Sequence, residues 1–187
     1  MQDMVRTRLF TLERLIVLIL ISIGLYGQSF SITLKPGLNY TNIPAALIGP
    51  GHKITSPCIG LQASIQINPV FSIDLSSSYN PRTWNSDYYG FSDVSLNELY
   101  VGCAGRFNIP MATVSPYFAL GLTRKYGSYD FLSFDETSLN LTFAHGYKIK
   151  ISSHFAIVPE TLLYLQLQPE TDIHGLSFSL GFSYDNI

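Results

Sequence analysis

The feature that most constrains the fold is an alternation of apolar and polar residues, which recurs in eight segments of the chain. In the first, residues 30–40, the even positions are apolar or aromatic except Pro36, and the odd positions are polar or glycine. Because successive side chains of a β-strand point to opposite faces, each segment is predicted to be a strand with one apolar and one polar face. The remaining segments are 58–67, 71–79, 97–107, 114–126, 139–151, 155–167 and 174–184.

The connections between these segments alternate in length. Those after the second, fourth and sixth segments are short, and Asn68-Pro69 has the composition of a tight turn. The other connections are longer, at about 42–57, 81–94, 127–138 and 169–173. Short turns at one end and longer loops at the other are typical of an antiparallel, up-and-down β-barrel that spans a membrane.

The N-terminal segment has the layout of a secretory signal peptide. Arg6, Arg8 and Arg14 precede an uncharged, mostly aliphatic run at 15–26, and small or polar residues follow it. The run is shorter than the ~20 apolar residues that a transmembrane helix needs. We therefore predict a cleaved signal peptide at 1–28 and a barrel domain at 29–187.

The composition favours a protein that has part of its surface out of contact with water. Charged residues make up 13% of the chain, against about 25% in an ordinary globular domain. The net charge of −2 gives no basic footprint for nucleic acid. Cys58 and Cys103 fall on opposite predicted faces, and their spacing indicates neither a zinc site nor a disulfide.

Two further features predict that the apolar face points outward. The segments run to about 11 residues, the length that a tilted strand needs to cross hydrocarbon. Aromatic residues also fall at two levels, as in the girdles of membrane barrels. The predicted lower level contains Phe30, Phe71, Phe107, Tyr147, Phe155 and Tyr184, and the upper level contains Tyr40 and Tyr79.

The polar face would then enclose a narrow lumen. Eight strands leave only enough room for side chains to fill the interior, so charges inside must form pairs. We predict an interior ion-pair network with a structural role, made of Lys35, Asp74, Glu98, Arg106, Lys148 and Glu160.

A family resemblance agrees with this interpretation. The motif Lys35-Pro36-Gly37-Leu38-Asn39-Tyr40-Thr41-Asn42-Ile43 and the stretch Pro159-Glu160-Thr161-Leu162-Leu163-Tyr164 resemble the PorT-like outer membrane β-barrel proteins of Bacteroidetes-type bacteria. The resemblance covers the predicted mature chain and implies an eight-stranded barrel in the bacterial outer membrane. Pro36 stands where the family more often has a small or apolar residue, and we predict a bulge there.

We predict that the protein acts through its outer loops and that it catalyses no reaction. Aromatic side chains suited to recognition occur there, namely Trp84, Tyr88, Tyr89, Phe91, Tyr129 and Phe131. The expected partners are outer membrane lipid, lipopolysaccharide and other envelope proteins, and no catalytic residue, cofactor or metal site is predicted. Two alternatives remain: a lipid-modifying enzyme resembling a lipid A deacylase, which could use His145, and a soluble periplasmic carrier of lipocalin shape.

Overall fold

The structure, a computed structural model, describes residues 29–43, 52–86, 91–129, 135–167 and 175–186. They form a closed barrel in which each strand is antiparallel to the next and β8 pairs with β1, which confirms the predicted fold. The strands are β1 (Phe30–Ile43), β2 (His52–Gln66), β3 (Phe71–Ser86), β4 (Phe91–Asn108), β5 (Val114–Tyr129), β6 (Asp135–Lys150), β7 (Phe155–Gln166) and β8 (Gly175–Asn186). The predicted signal peptide lies outside the described residues.

The two faces of the barrel have the polarity opposite to that of a soluble protein. On the outside, Leu61, Phe118 and Phe178 are 52%, 54% and 52% exposed. On the inside, Arg106 and Glu160 are only 5% and 8% exposed. Because the alternation has a period of two, one register places most large apolar side chains outside and the paired charges inside, although Arg124 and Lys150 are exposed. The predicted orientation of the sheet is therefore confirmed, and a carrier with an apolar core is excluded.

The strands are longer than predicted. β3, β5 and β6 have 16 residues each and β4 has 18. At ~3.3 Å per residue and a tilt near 40°, a strand of that length rises about 40 Å, which exceeds the ~25 Å apolar band of such barrels. The bounds predicted for the loops 42–57, 81–94 and 127–138 are consequently wrong, since these ranges contain the outer ends of β1 to β6.

The turns at the opposite end are tight and are held by side chains. The Asn68 Oδ1 atom accepts hydrogen bonds from the backbone amides of Val70 and Phe71, at 2.9 and 2.8 Å. Ser152 accepts a hydrogen bond from the amide of Phe155 at 3.1 Å. These local bonds stop each strand and return the chain, as expected for turn-forming Asn and Ser residues.

Pro36 does not produce a bulge, so that prediction is wrong. The β1–β2 register is continuous across it, with Lys35 opposite Gly60, Pro36 opposite Ile59 and Gly37 opposite Cys58. A register shift occurs instead between Trp84 and Ser86 in β3. The Gly37 position has its own constraint, because a Cβ atom there would collide with the Phe178 carbonyl of β8.

Aromatic side chains mark both ends of the apolar band. Near the tight turns, the Phe71 and Phe107 ring centroids lie 5.2 Å apart, and those of Phe155 and Tyr184 lie 5.4 Å apart. Towards the other end, Tyr79 donates a hydrogen bond to Asn97 Oδ1 at 2.6 Å. The exposed Arg124 guanidinium lies 5.4 Å from the Tyr126 ring centroid. Polar groups with a cation over an aromatic ring are typical of a membrane–water interface. No described helix is long and apolar enough to cross a membrane.

A charge placed on the exterior tests this orientation. Leu120 and Val114 both face outward from β5, at 50% and 37% exposure, but Val114 begins the strand next to a tight turn. We expect Leu120→Arg to destabilise the folded protein by about 2–4 kcal/mol and the control Val114→Arg by about 0–1 kcal/mol, because the penalty depends on depth in the bilayer. Urea unfolding in lipid vesicles measures both. Equal tolerance of the two substitutions would indicate a water-exposed exterior.

Candidate functional site

A chain of charged and aromatic side chains crosses the lumen nearer the tight turns. Arg106 on β4 donates from Nε to Asp74 Oδ2 on β3 at 2.7 Å. Its guanidinium lies 4.3 Å from the ring centroid of Tyr117 on β5. The Tyr117 hydroxyl donates to Glu160 Oε2 on β7 at 2.6 Å, and Lys35 Nζ on β1 donates to Glu160 Oε1 at 2.6 Å. We call these five residues the crossing chain. It joins strands on opposite sides of the barrel and so obstructs the lumen.

Tyr117 can reach Glu160 on β7 because the strand between them, β6, has glycine at position 146, opposite both residues. A Cβ atom added to Gly146 would lie 2.5 Å from the Tyr117 hydroxyl oxygen and 2.7 Å from the Pro159 carbonyl oxygen. These separations are far below van der Waals contact, so glycine at 146 is needed for Tyr117 to reach Glu160.

A separate pair lies at the rim beside the tight turns. Lys148 donates to Asp185 Oδ1 at 2.7 Å, and both side chains are partly exposed. The hydroxyl of Ser183 donates to the same oxygen at 3.3 Å. Solvent screens this pair, so it should contribute much less to stability than the crossing chain.

A second cluster occupies the lumen towards the outer end. Glu98 lies 2.5 Å from Arg82 Nη2 and 3.8 Å from Lys125 Nζ, and it accepts a hydrogen bond from Tyr100 at 3.2 Å. The ring of Tyr100 contacts that of Tyr164, with the centroids 4.9 Å apart. The cluster places two cations beside one carboxylate in a site that is almost fully buried.

Between the crossing chain and the Tyr100–Tyr164 pair lies a small cavity of about 70 Å³. Its wall is built mostly from short side chains, and Ser76, Ser78, Thr142, Ser177 and Ser179 supply hydroxyl groups. A space of this size holds a few water molecules and no larger solute. The lumen is therefore filled at two levels, with a small chamber between them.

The predicted network residues all lie in the lumen, but they do not form one network. Lys35 meets Glu160 and Arg106 meets Asp74, whereas Glu98 belongs to the outer cluster and Lys148 to the rim pair. Sequence reasoning missed the partners of the last two. Arg82 fell in the predicted loop 81–94, and Asp185 lay one residue beyond the predicted end of the last strand. Lys125 lies within the fifth predicted segment, 114–126, and the alternation there already puts it on the polar face.

The residues predicted for loop recognition are only partly described. Trp84 and Phe91 lie in β3 and β4, and Tyr129 ends β5, so their assignment to loops is wrong. Tyr88, Tyr89 and Phe131 lie outside the described residues. Trp84, Phe91 and Tyr129 lie at strand ends, beyond the apolar band.

The described residues gather no arrangement for catalysis around His145. Its ring lies on the exterior between those of Phe118 and Tyr147, with centroid separations of 4.9 and 5.1 Å. Among the described residues, no group of three or more His, Cys, Asp and Glu side chains could hold a metal ion. Cys58 and Cys103 are free, the first near Ser177 Oγ in the lumen and the second exposed.

Breaking the crossing chain should destabilise the barrel more than breaking the rim pair. Lys35→Met leaves the Glu160 carboxylate buried without its cation, and we expect a loss of about 3–5 kcal/mol. Lys148→Met, the matched control at the rim, should cost about 0–1 kcal/mol. Urea midpoints of both variants in detergent micelles provide the comparison. Similar losses in the free energy of unfolding would show that burial does not make the crossing chain more stabilising than the rim pair.

The space at Gly146 gives a second test. Gly146→Ala should cost about 1–3 kcal/mol by overpacking against Tyr117. The control Gly60→Ala has its nearest neighbour at 3.3 Å and should fold with little change. In a Tyr117→Ala background, Gly146→Ala should cost less than it does in the unmodified protein, which thermal unfolding of the four proteins can measure. An equal cost in both backgrounds would mean that Tyr117 is not the obstructing group.

Comparisons with known proteins agree with this geometry. The family model described as "Outer membrane protein beta-barrel domain" matches residues 17–185. No curated protein matches the chain.

Solved structures share the fold at low identity. The attachment invasion locus protein Ail of Yersinia pestis, solved with the heparin analogue sucrose octasulfate, aligns with a TM-score of 0.62 and 15% identity, covering 85% of this chain and 99% of that chain. Neisserial surface protein A aligns with a TM-score of 0.68 and 12% identity over 83% of this chain and 96% of that chain. OprG of Pseudomonas aeruginosa aligns with a TM-score of 0.56 and 13% identity, over 85% and 97%.

Proposed function

Because the chain belongs to the outer membrane protein beta-barrel domain family, we propose that it serves the bacterial outer membrane in a structural or surface-binding role. It performs no catalysis and forms no wide pore. The polar lumen and the apolar exterior are those of a protein that resides in lipid through its strands.

The crossing chain is the observation that carries this proposal. A pore needs a continuous aqueous path, whereas Tyr117, Glu160 and Lys35 are joined by direct contacts across the lumen. The side chains of Lys35 and Glu160 are 10% and 6% exposed. Because the interior offers no passage, we assign the function to the outer surface of the barrel.

The outer strand ends are the surface best placed for binding. β3 and β4 extend beyond the apolar band. Trp84 lies near the end of β3, Phe91 begins β4, and Tyr129 ends β5. Aromatic anchors of this kind suit recognition of lipopolysaccharide or of another envelope protein. Ail, which shares the fold, has been solved with a heparin analogue, so a barrel of this size can bind an external ligand.

The narrower resemblance to PorT-like barrels remains part of the proposal. It rests on the motif around Gly37, where glycine is needed for close approach to β8, and on Glu160, which closes the crossing chain. Both motifs therefore have a structural reason within this barrel.

Planar-bilayer recording tests the closed lumen. We expect the folded protein to give no stable, large conductance. The double variant Lys35→Ala/Glu160→Ala removes two members of the crossing chain and should give small, brief openings. A large and steady conductance of the unmodified protein would contradict the proposal. Heat-modifiable gel mobility confirms in each case that the barrel is folded.

A further inference from the structure

The barrel wall is split towards its outer end. Pairing between β2 and β3 stops at Ile59 and Tyr79, although β2 continues to His52 and β3 to Ser86. Each strand keeps its other neighbour there, since Ser56 still pairs with Asn39 on β1 and Asn80 with Glu98 on β4. We call the separation of β2 from β3 beyond Ile59 and Tyr79 the seam.

Buried polar side chains line the seam on the lumen side. Asn39, Ser56, Asn80 and Arg82, here the wall cluster, are 1%, 3%, 1% and 3% exposed. Continued past Tyr79, the β2–β3 register would set Ser56 opposite Arg82. The cluster therefore lies on both sides of the seam, with Asn39 opposite Ser56 on β1 and β2, and Asn80 and Arg82 on the lumen face of β3.

The wall cluster has unused hydrogen-bonding capacity. The amide nitrogen and oxygen of both Asn39 and Asn80, the Ser56 hydroxyl and the Arg82 Nε make no hydrogen bond to another residue. A buried polar group left unsatisfied is destabilising, and such groups are rare in native structures. Their concentration where β2 and β3 separate indicates that something else satisfies them.

The unused groups define the chemistry of a ligand. Each Asn amide offers an acceptor and donors side by side, and the Ser56 hydroxyl can both donate and accept. A phosphate only accepts and would leave the Asn carbonyls unpaired, while a hydrocarbon would pair with none of them. Hydroxyl groups both donate and accept, so a compound with several adjacent hydroxyls matches the whole set.

We propose that the wall cluster is a binding site for a saccharide, which enters through the seam between β2 and β3. The inference goes beyond the surface-binding role proposed above, because the site lies on the lumen side of the wall. The saccharide can come from lipopolysaccharide within the same membrane or from a free oligosaccharide, and both present the same hydroxyl chemistry. Entry requires β2 and β3 to move apart, which no strand pairing opposes beyond Ile59 and Tyr79.

The position of tryptophan allows a direct test. Trp84 is the one Trp in the sequence and lies on β3 close to Arg82, so its fluorescence reports on this part of the wall. The full chain is titrated in detergent micelles with core oligosaccharide released from lipopolysaccharide, and in nanodiscs with and without intact lipopolysaccharide. We expect saturable fluorescence changes with the free core, with the intact lipid, or with both, which distinguishes the two sources.

Apolar replacements separate a binding role from a structural one. Asn39→Leu and Asn80→Leu should each weaken saccharide binding by roughly tenfold, and each should raise the unfolding temperature because an unsatisfied buried amide is removed. The matched control is Asn140→Leu on β6, a buried lumen residue whose amide donates to the Thr123 carbonyl at 3.5 Å. It should lower the unfolding temperature and leave binding unchanged.

Three results would overturn the inference. One is the absence of saturable binding to either saccharide probe. Another is a lowered unfolding temperature in Asn39→Leu and Asn80→Leu with unchanged affinity, since bound water alone would then satisfy the amides. The third is a response to an extended Thr-Val repeat peptide but not to the saccharides, which would make the seam a strand-docking site. The conductance test of the proposed function is unaffected by any of these results.

Discussion

The structure depends on the closure of the sheet. In hydrocarbon no water is available to backbone amides and carbonyls, so an open edge would leave a row of them unsatisfied. Pairing of β1 with β8, from Phe30 opposite Asn186 to Thr41 opposite Gly175, removes that edge. Once the sheet is closed, the period-two pattern decides everything else about polarity, because each side chain faces either lipid or the enclosed lumen.

Closure with so few strands has a direct electrostatic consequence. The lumen is too narrow for bulk water, so every charge directed inward must find a partner across or along the wall. Asp74, Arg106, Tyr117, Glu160 and Lys35 satisfy this requirement by linking strands that are distant in sequence. The same contacts that neutralise the charges also obstruct the passage. Stability and lack of conductance therefore have a common origin in the crossing chain.

The alternation in the sequence was sufficient to predict the strand count, the antiparallel order and the outward apolar face. It was sufficient because burial on one face enforces a strict period of two, which Leu61, Phe118 and Phe178 display. The outer strand ends could not be predicted in this way, since beyond the lipid both faces meet water and the pattern fades. Arg82 shows the result: it follows Asn80-Pro81, reads as a loop residue, and yet lies buried against Glu98. The pairing of Lys148 with Asp185 was equally hidden, because it depends on a register between strands that are not adjacent in sequence.

The two ends of the lumen differ in how well their polar groups are satisfied. Near the tight turns, Glu160 receives hydrogen bonds from Lys35 and Tyr117, and β5 pairs with β6 without interruption from Val114 to Ser128. Towards the outer end, Asn39 and Asn80 have unused capacity beside a break in the wall. An unsatisfied amide could be replaced by an apolar side chain with a gain in stability, so its presence there is a local cost to the fold. Unsatisfied polar groups next to an opening are typical of a site that a ligand completes. The well-paired half of the barrel near the tight turns provides the stability needed to tolerate them.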